Sequence, residues 1–139
     1  MKISACSISK NEESNIDFWY ENLKSCDDFY VLDTGSTDNT VDKLKSLNIN
    51  TNQKIFNPFD FSEARNFSLE FVKNPDWIIS IDFDEKLEKN WRDKIEDIIN
   101  KNPEVTAIAF DEGDKNTIYG TLDIDKKVKL FKYGYYKWH

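Results

Sequence analysis

The sequence predicts an α/β protein, a three-layer α/β/α sandwich built on a mainly parallel sheet. Three observations carry this. Short apolar runs of strand character alternate with amphipathic runs of helical spacing; Gly, Pro, Asn and Asp separate them; and no internal repeat, low-complexity tract or linker interrupts the series. At 139 residues the chain suits a single domain over residues 1–139, because single domains cluster near about 100 to 150 residues. Hydrophobic residues make up 39% and aromatic residues 14%, which is too apolar for a disordered chain, so a packed core is expected.

The elements follow in order. Lys2 to Ser9 reads as a strand, Ile16, Trp19, Tyr20 and Leu23 recur at helical spacing, and Phe29 to Asp33 is a second strand, which makes a βαβ opening. Ser14 with Asp17 resembles a capping box, and Asn11 is the alternative helix start. Asp33-Thr34-Gly35-Ser36-Thr37-Asp38 is turn chemistry leading into Val41, Leu44 and Leu47 on one helical face, with a short strand expected at Lys54 to Phe56. Pro58 breaks the pattern, Ser62 is expected to cap a helix that turns Ala64, Phe67 and Phe71 inward, and Asn74-Pro75 stops it. Trp77 to Ile81 reads as a buried strand. Trp91, Ile95, Ile98 and Ile99 mark a helix ending before Pro103, Val105 to Phe110 is a strand, and Lys127 to Tyr133 alternates polar and apolar.

Composition narrows the function. A net charge of -7 and only two arginines, Arg65 and Arg92, argue against a nucleic-acid partner, which needs clustered Lys and Arg. An anionic ligand then needs local help, and a fixed guanidinium fork can come only from those two positions. No apolar run approaches the roughly 18 residues that span a bilayer, and Met1 to Ser9 lacks the apolar stretch of a secretory signal, so a soluble cytoplasmic protein is expected. Cys6 and Cys26 lack metal-ligand spacing and read as structural.

Two constellations carry chemistry. Asp82-Phe83-Asp84 follows the apolar strand directly, so two carboxylates one residue apart leave a strand end together and suit Mg²⁺ or Mn²⁺ shared with substrate phosphates; plain solvated acids are the alternative. Asp33 and the turn to Asp38 end another strand on the same rim, where a ligand would lie in a parallel sheet; an ordinary connection with Ser36 or Thr37 as N-cap is the alternative. Asp82 as a phosphotransferase nucleophile fits poorly, because Lys86 stands where those enzymes want Thr or Val and the motif is not on the first strand.

Four segments in order resemble the family 2 glycosyltransferases of GT-A fold: Ser9-Lys10-Asn11-Glu12, Asp33 to Asp38, Asp60-Phe61-Ser62-Glu63-Ala64-Arg65-Asn66, and Asp82-Phe83-Asp84-Glu85. They are similar to the family's T-Y-N-E, D-x-G-S-x-D, A-R-N and D-x-D segments, with Lys10 where the family carries an aromatic. The resemblance implies a nucleotide-sugar donor, expected to be a UDP-sugar, whose base Asp33 bonds while Glu12, Ser9, Lys10 and Ser36 border base, ribose or phosphate. It implies Arg65 at the base or diphosphate, Asp82 at ribose or metal, Asp84 as ligand of Mn²⁺ or Mg²⁺, and His139, at the end of the segment Leu130 to His139, completing the coordination.

The likeness covers donor-side segments only. The expected activity is transfer of a hexose to an unassigned acceptor with inversion; the alternative is a donor-binding module that binds or slowly hydrolyses nucleotide sugar. No catalytic base is assigned. Asp111, Glu112 and Asp114 are the nearest candidates for it, and a solvated turn opening a hairpin at Gly113 is the favoured reading of them.

Overall fold

Period-two alternation divides the first strand between two faces, and that division builds the layers. In the computed structural model, which describes residues 1–112, 117–121 and 127–139, strand β1 (Ile3–Ser9) sends Ile3 and Ala5 to one face and Cys6 and Ile8 to the other. The first face is covered by α1 (Ile16–Leu23), α2 (Thr40–Ser46) and α4 (Trp91–Lys101), whose buried Ile16, Trp19, Leu23, Leu44, Trp91 and Ile95 join Ile3, Val31, Ile79 and Ile108. The second face is covered by α3 (Phe61–Ser68) and the segment carrying Tyr136 and Trp138. Helical spacing decides which residues face the sheet: Ile16, Trp19 and Leu23 lie on one stripe of α1.

The remaining strands are β2 (Asp28–Asp33), β3 (Asn50–Gln53), β4 (Trp77–Ile79), β5 (Lys86–Leu87), β6 (Ala107–Glu112), β7 (Thr117–Thr121) and β8 (Lys127–Lys132), in one eight-stranded sheet of order β3-β2-β1-β4-β8-β6-β7-β5. The run β3-β2-β1-β4 is parallel, whereas β8 is antiparallel to both β4 and β6. β2 and β3 lie on one side of β1 and β4 on the other, so the connections diverge at β1 and open a crevice at its carboxyl end.

Several boundaries differ from expectation. The third strand is Asn50–Gln53, not Lys54 to Phe56; its residues are polar, and it joins the sheet edge through backbone pairing with Tyr30 to Asp33, which leaves no apolar pattern to read. Asp60, not Ser62, caps α3, accepting from the Glu63 amide at 2.8 Å. α1 follows a short 3-10 turn, Glu13–Asn15, and has no side-chain cap, so the Ser14 box does not form. Asn39, not Ser36 or Thr37, stands at the N-cap of α2. β4 ends at Ile79 because Ser80 turns its amide to Lys129 O at 2.8 Å, away from β1. Asp111 and Glu112 lie within β6, paired with Tyr119 and Ile118 of β7, rather than in a turn; Gly113 and Asp114 lie outside the described residues.

Both cysteines are buried and free. Burial pushes the Cys6 thiol up to about 12 against the lowering effect of its bond to Ser68, and burial raises Cys26 as well, as inert structural thiols require. Among the described residues no helix is long and apolar enough to cross a membrane.

Candidate nucleotide-sugar site

The carboxyl ends of β1, β2 and β4 border a cleft of about 540 Å³. Its walls are Ile8 and Ser9 at the end of β1, Lys10, Glu12 and Asn15 after it, Thr34 after β2, Phe59, Phe61 and Arg65 around the start of α3, and Asp82, Phe83 and Asp84 after β4. This is where a sheet with diverging connections offers space outside its strands.

Phe83 aims the two carboxylates. Its ring is 2% exposed and stacked on Trp19 at 5.0 Å and 16°. Asp82 and Asp84 flank that ring in the turn, and both are exposed on the cleft wall. Trp19 is fixed in turn: its Nε1 donates to Ser7 Oγ at 3.1 Å, and that hydroxyl donates to Ile81 O at 2.7 Å, tying β1 to the chain just before Asp82.

Glu85 closes the turn. Its Oε1 accepts from the Asp82 amide at 2.7 Å and from Lys129 Nζ at 2.8 Å, while its own amide donates to Asp82 O at 3.2 Å. Lys129 reaches there because β8 bulges: Ile108 pairs with Leu130 and Ala109 with Val128, so Lys129 is an extra residue. Asn22 grips the far end, donating to Glu85 O and accepting from the Leu87 amide, both at 3.1 Å.

The first two motifs form one unit. Asn11, at φ 54, accepts from the Thr37 amide at 2.8 Å while its own amide donates to Ser36 Oγ at 2.8 Å, and the Glu12 amide donates to Thr40 Oγ1 at 2.9 Å. Asn tolerates that left-handed backbone better than most residues. Gly35, at φ 125, takes a conformation that side chains disfavour.

Asp33 is placed at the rim but buried, 1% exposed and absent from the cleft wall. Its carboxylate accepts from Ser9 Oγ at 2.8 Å, from the Gly35 and Ser36 amides at 3.1 and 2.8 Å, and from Ser36 Oγ. Those donors occupy the lone pairs of a carboxylate. Asp33, for which the resemblance implies a bond to the base, therefore holds the turn, and Ser36 is engaged in that turn with it. Asp33→Ala is expected to destabilise the fold by at least about 2 kcal/mol, since it strands buried donors; urea unfolding checks it, and an unchanged midpoint would show that the turn stands without the carboxylate.

Arg65 lies between aromatic and acid. Its guanidinium carbon sits 5.3 Å from the Phe61 ring centroid and its Nη2 donates to Asp82 Oδ1 at 3.3 Å. Arg92, the other arginine, is engaged away from the cleft with Asp27, Glu96 and backbone carbonyls. Lys10 is exposed on the rim, and Glu12 accepts from Asn15 Nδ2 at 3.0 Å.

His139 is not brought into the acidic group. Among the described residues no three potential ligands cluster. The preceding Trp138 exchanges hydrogen bonds with Asn66 through its amide and carbonyl, at 2.9 and 2.8 Å, and His139 O accepts from Ser62 Oγ at 2.8 Å, so the segment is laid along α3. What remains is a pair of exposed carboxylates on a clamped turn facing open space. That donor set fits a hard cation that completes its shell with phosphate and water. Asn11, Asn22, Asn66 and Lys129 were not assigned from sequence, because their partners are distant in the chain; Phe59 and Phe61 were not assigned because spacing does not tell an exposed ring from a buried one.

The arrangement is that of a nucleotide-diphospho-sugar transferase fold. Staphylococcal TarS shares it: the structure of S. aureus TarS superposes with a TM-score of 0.62 at 23% identity over 78% of this chain and 21% of that one. S. aureus TarS 1-349 in complex with UDP gives 0.59 at 20% identity over 74% of this chain and 33% of that one. The model of "Glycosyl transferase family 2" matches residues 4–138, and the chain belongs to that family. An uncharacterized glycosyltransferase of Rickettsia bellii (strain RML369-C) is 34% identical over 78% of this chain and 36% of its own length. The lipopolysaccharide core biosynthesis glycosyltransferase LpsC of Rhizobium meliloti (strain 1021) is 29% identical over 77% of this chain and 40% of its own. The chain thus spans well under half the length of the relatives it matches.

Proposed function

We propose that the chain is the donor-binding part of a glycosyltransferase that moves a hexose from a UDP-sugar to an acceptor hydroxyl, with Mn²⁺ or Mg²⁺ held at Asp82 and Asp84. The observation that carries this is the outward pair Asp82 and Asp84, fixed by the buried Phe83 and by Glu85, in the same cleft as Arg65 and the β1 rim. Family membership and the UDP complex of TarS support the same donor class.

In this reading Arg65 meets the diphosphate, Ser9, Lys10 and Glu12 border base and ribose, and Asp33 with Ser36 keeps the turn in shape. A divalent cation, when bound, supplies positive charge against the departing diphosphate, which an acidic chain otherwise lacks. Direct attack by the acceptor hydroxyl displaces UDP and inverts the anomeric centre.

A thermal-shift panel tests donor and metal together. UDP-sugars at about a hundred times Kd should stabilise the chain by about 2.7 kcal/mol with Mn²⁺ present and give little in EDTA. Equal gains in EDTA remove the metal from the reading, and a larger gain with a GDP-, CDP- or dTDP-sugar replaces the nucleotide. UDP release measured with and without added acceptors separates transfer from the donor-binding module, which hydrolyses without acceptor dependence.

A further inference from the structure

We propose that Phe59 and Phe61 form an aromatic corner that receives the heteroaromatic base of the donor nucleotide; the inference rests on the donor reading above and assigns the part of the cleft that reads the base. Three phenylalanines line the cleft, and they differ in kind. Phe83 is buried against Trp19, whereas Phe59 and Phe61 are 44% and 61% exposed. No other aromatic side chain stands on the cleft wall among the described residues, so a planar ligand finds an open π-face only here.

The two rings meet at right angles, 4.8 Å between centroids and 84° between planes, and Phe59 is backed edge-on by the buried Phe56 at 6.4 Å. A flat base can lie on one ring with its edge toward the other, which satisfies the quadrupole preferences of both. Arg65 joins this corner to the charged end of the cleft: its guanidinium carbon lies 5.3 Å from the Phe61 ring centroid while its Nη2 donates to Asp82. A nucleoside diphosphate has the same sequence of parts, a flat apolar ring at one end and a charge-dense diphosphate at the other. The rings adjoin the Arg65–Asp82 ion pair, which a purely apolar ligand would cover without offering it a polar partner, so a ligand with a charged end is the better occupant.

The experiment is calorimetric titration of the unaltered chain, Phe59→Leu, Phe61→Leu, the double variant and Phe61→Trp, each with Mn²⁺, using UDP in one arm and inorganic pyrophosphate in the other. Both sites are exposed, and circular dichroism confirms the fold of each variant. Stacking on a base predicts a loss of about tenfold or more in UDP affinity for the double variant, unchanged pyrophosphate affinity, and retained UDP affinity in Phe61→Trp. Unchanged UDP affinity in the double variant overturns the inference while leaving the donor reading intact. So does a parallel fall for UDP and pyrophosphate, which would mean that the rings act by steadying Arg65. If the unaltered chain binds neither ligand, the donor reading itself fails and takes the inference with it.

Discussion

Asp84→Asn is expected to erase the metal-dependent stabilisation by UDP while leaving the unliganded protein at least as stable as before. Asp84 is exposed on the cleft wall, and among the described residues its carboxylate takes part in no hydrogen bond or ion pair. No contact among the described residues depends on its charge, and the substitution reduces the magnitude of the net charge of -7 by one. An amide is a poor ligand for Mg²⁺ or Mn²⁺ beside a carboxylate, so the proposed cation site would lose one of its two protein anchors. With UDP at about a hundred times the unaltered chain's Kd, the gain should fall from about 2.7 kcal/mol toward zero. Denaturant midpoints with Mn²⁺ and UDP, with UDP alone and with EDTA provide the measurement. Retention of the full gain would move the metal elsewhere; unfolding of the unliganded variant would make Asp84 a structural residue.

The second large effect is expected at Lys129→Met. The Lys129 and Glu85 side chains are 13% and 20% exposed and 2.8 Å apart, and Glu85 also holds the Asp82 amide. Removing the ammonium leaves a mostly buried carboxylate without its cation. Breaking such a pair from one side destabilises by about 3 to 5 kcal/mol when burial is complete; the residual exposure here lowers the expectation to about 2 to 3 kcal/mol. Pairing Lys129→Met with Glu85→Gln should recover at least half of the loss, because the neutral amide keeps an oxygen for the Asp82 amide and leaves no stranded charge. Urea unfolding of the four proteins in the cycle measures the coupling. Strict additivity would mean that the backbone alone shapes the Asp82 to Glu85 turn. A turn loosened in Lys129→Met should also weaken metal-dependent UDP binding, and Glu85→Gln with Lys129→Met should restore part of it.

The alternation of apolar and amphipathic runs was readable because each run answers to its own local geometry. Ile16, Trp19 and Leu23 recur at helical spacing and pack on one face of the sheet, while Trp77 to Ile79 is apolar without a break because its side chains are buried on both faces. The same holds for the motifs: four short segments share one end of the sheet because a parallel βαβ series brings successive strand ends to one rim. Asp82 and Asp84 could be placed on that rim from the sequence, since a carboxylate pair one residue apart directly after an apolar strand is a local signal.

Tertiary structure decided everything that depends on pairs distant in sequence. β3 is polar and exists only because β2 offers an unpaired edge. Asp33 looked available for a ligand, yet Ser9, 24 residues earlier, supplies one of the donors that occupy it. His139 is carried to Ser62 by a side-chain clamp at Asn66, 72 residues before Trp138. Glu85 meets Lys129 across 44 residues through a bulge that no spacing rule announces. Phe61 opens α3, and its exposure beside Arg65 is set by where α3 lies on the sheet. Local periodicity and short motifs are encoded by neighbours within a turn or a pleat, so the chain alone determined the layers and the rim; partner choice for buried polar groups is encoded by strand order and register, so only the folded structure determined which of those residues remain open to a ligand.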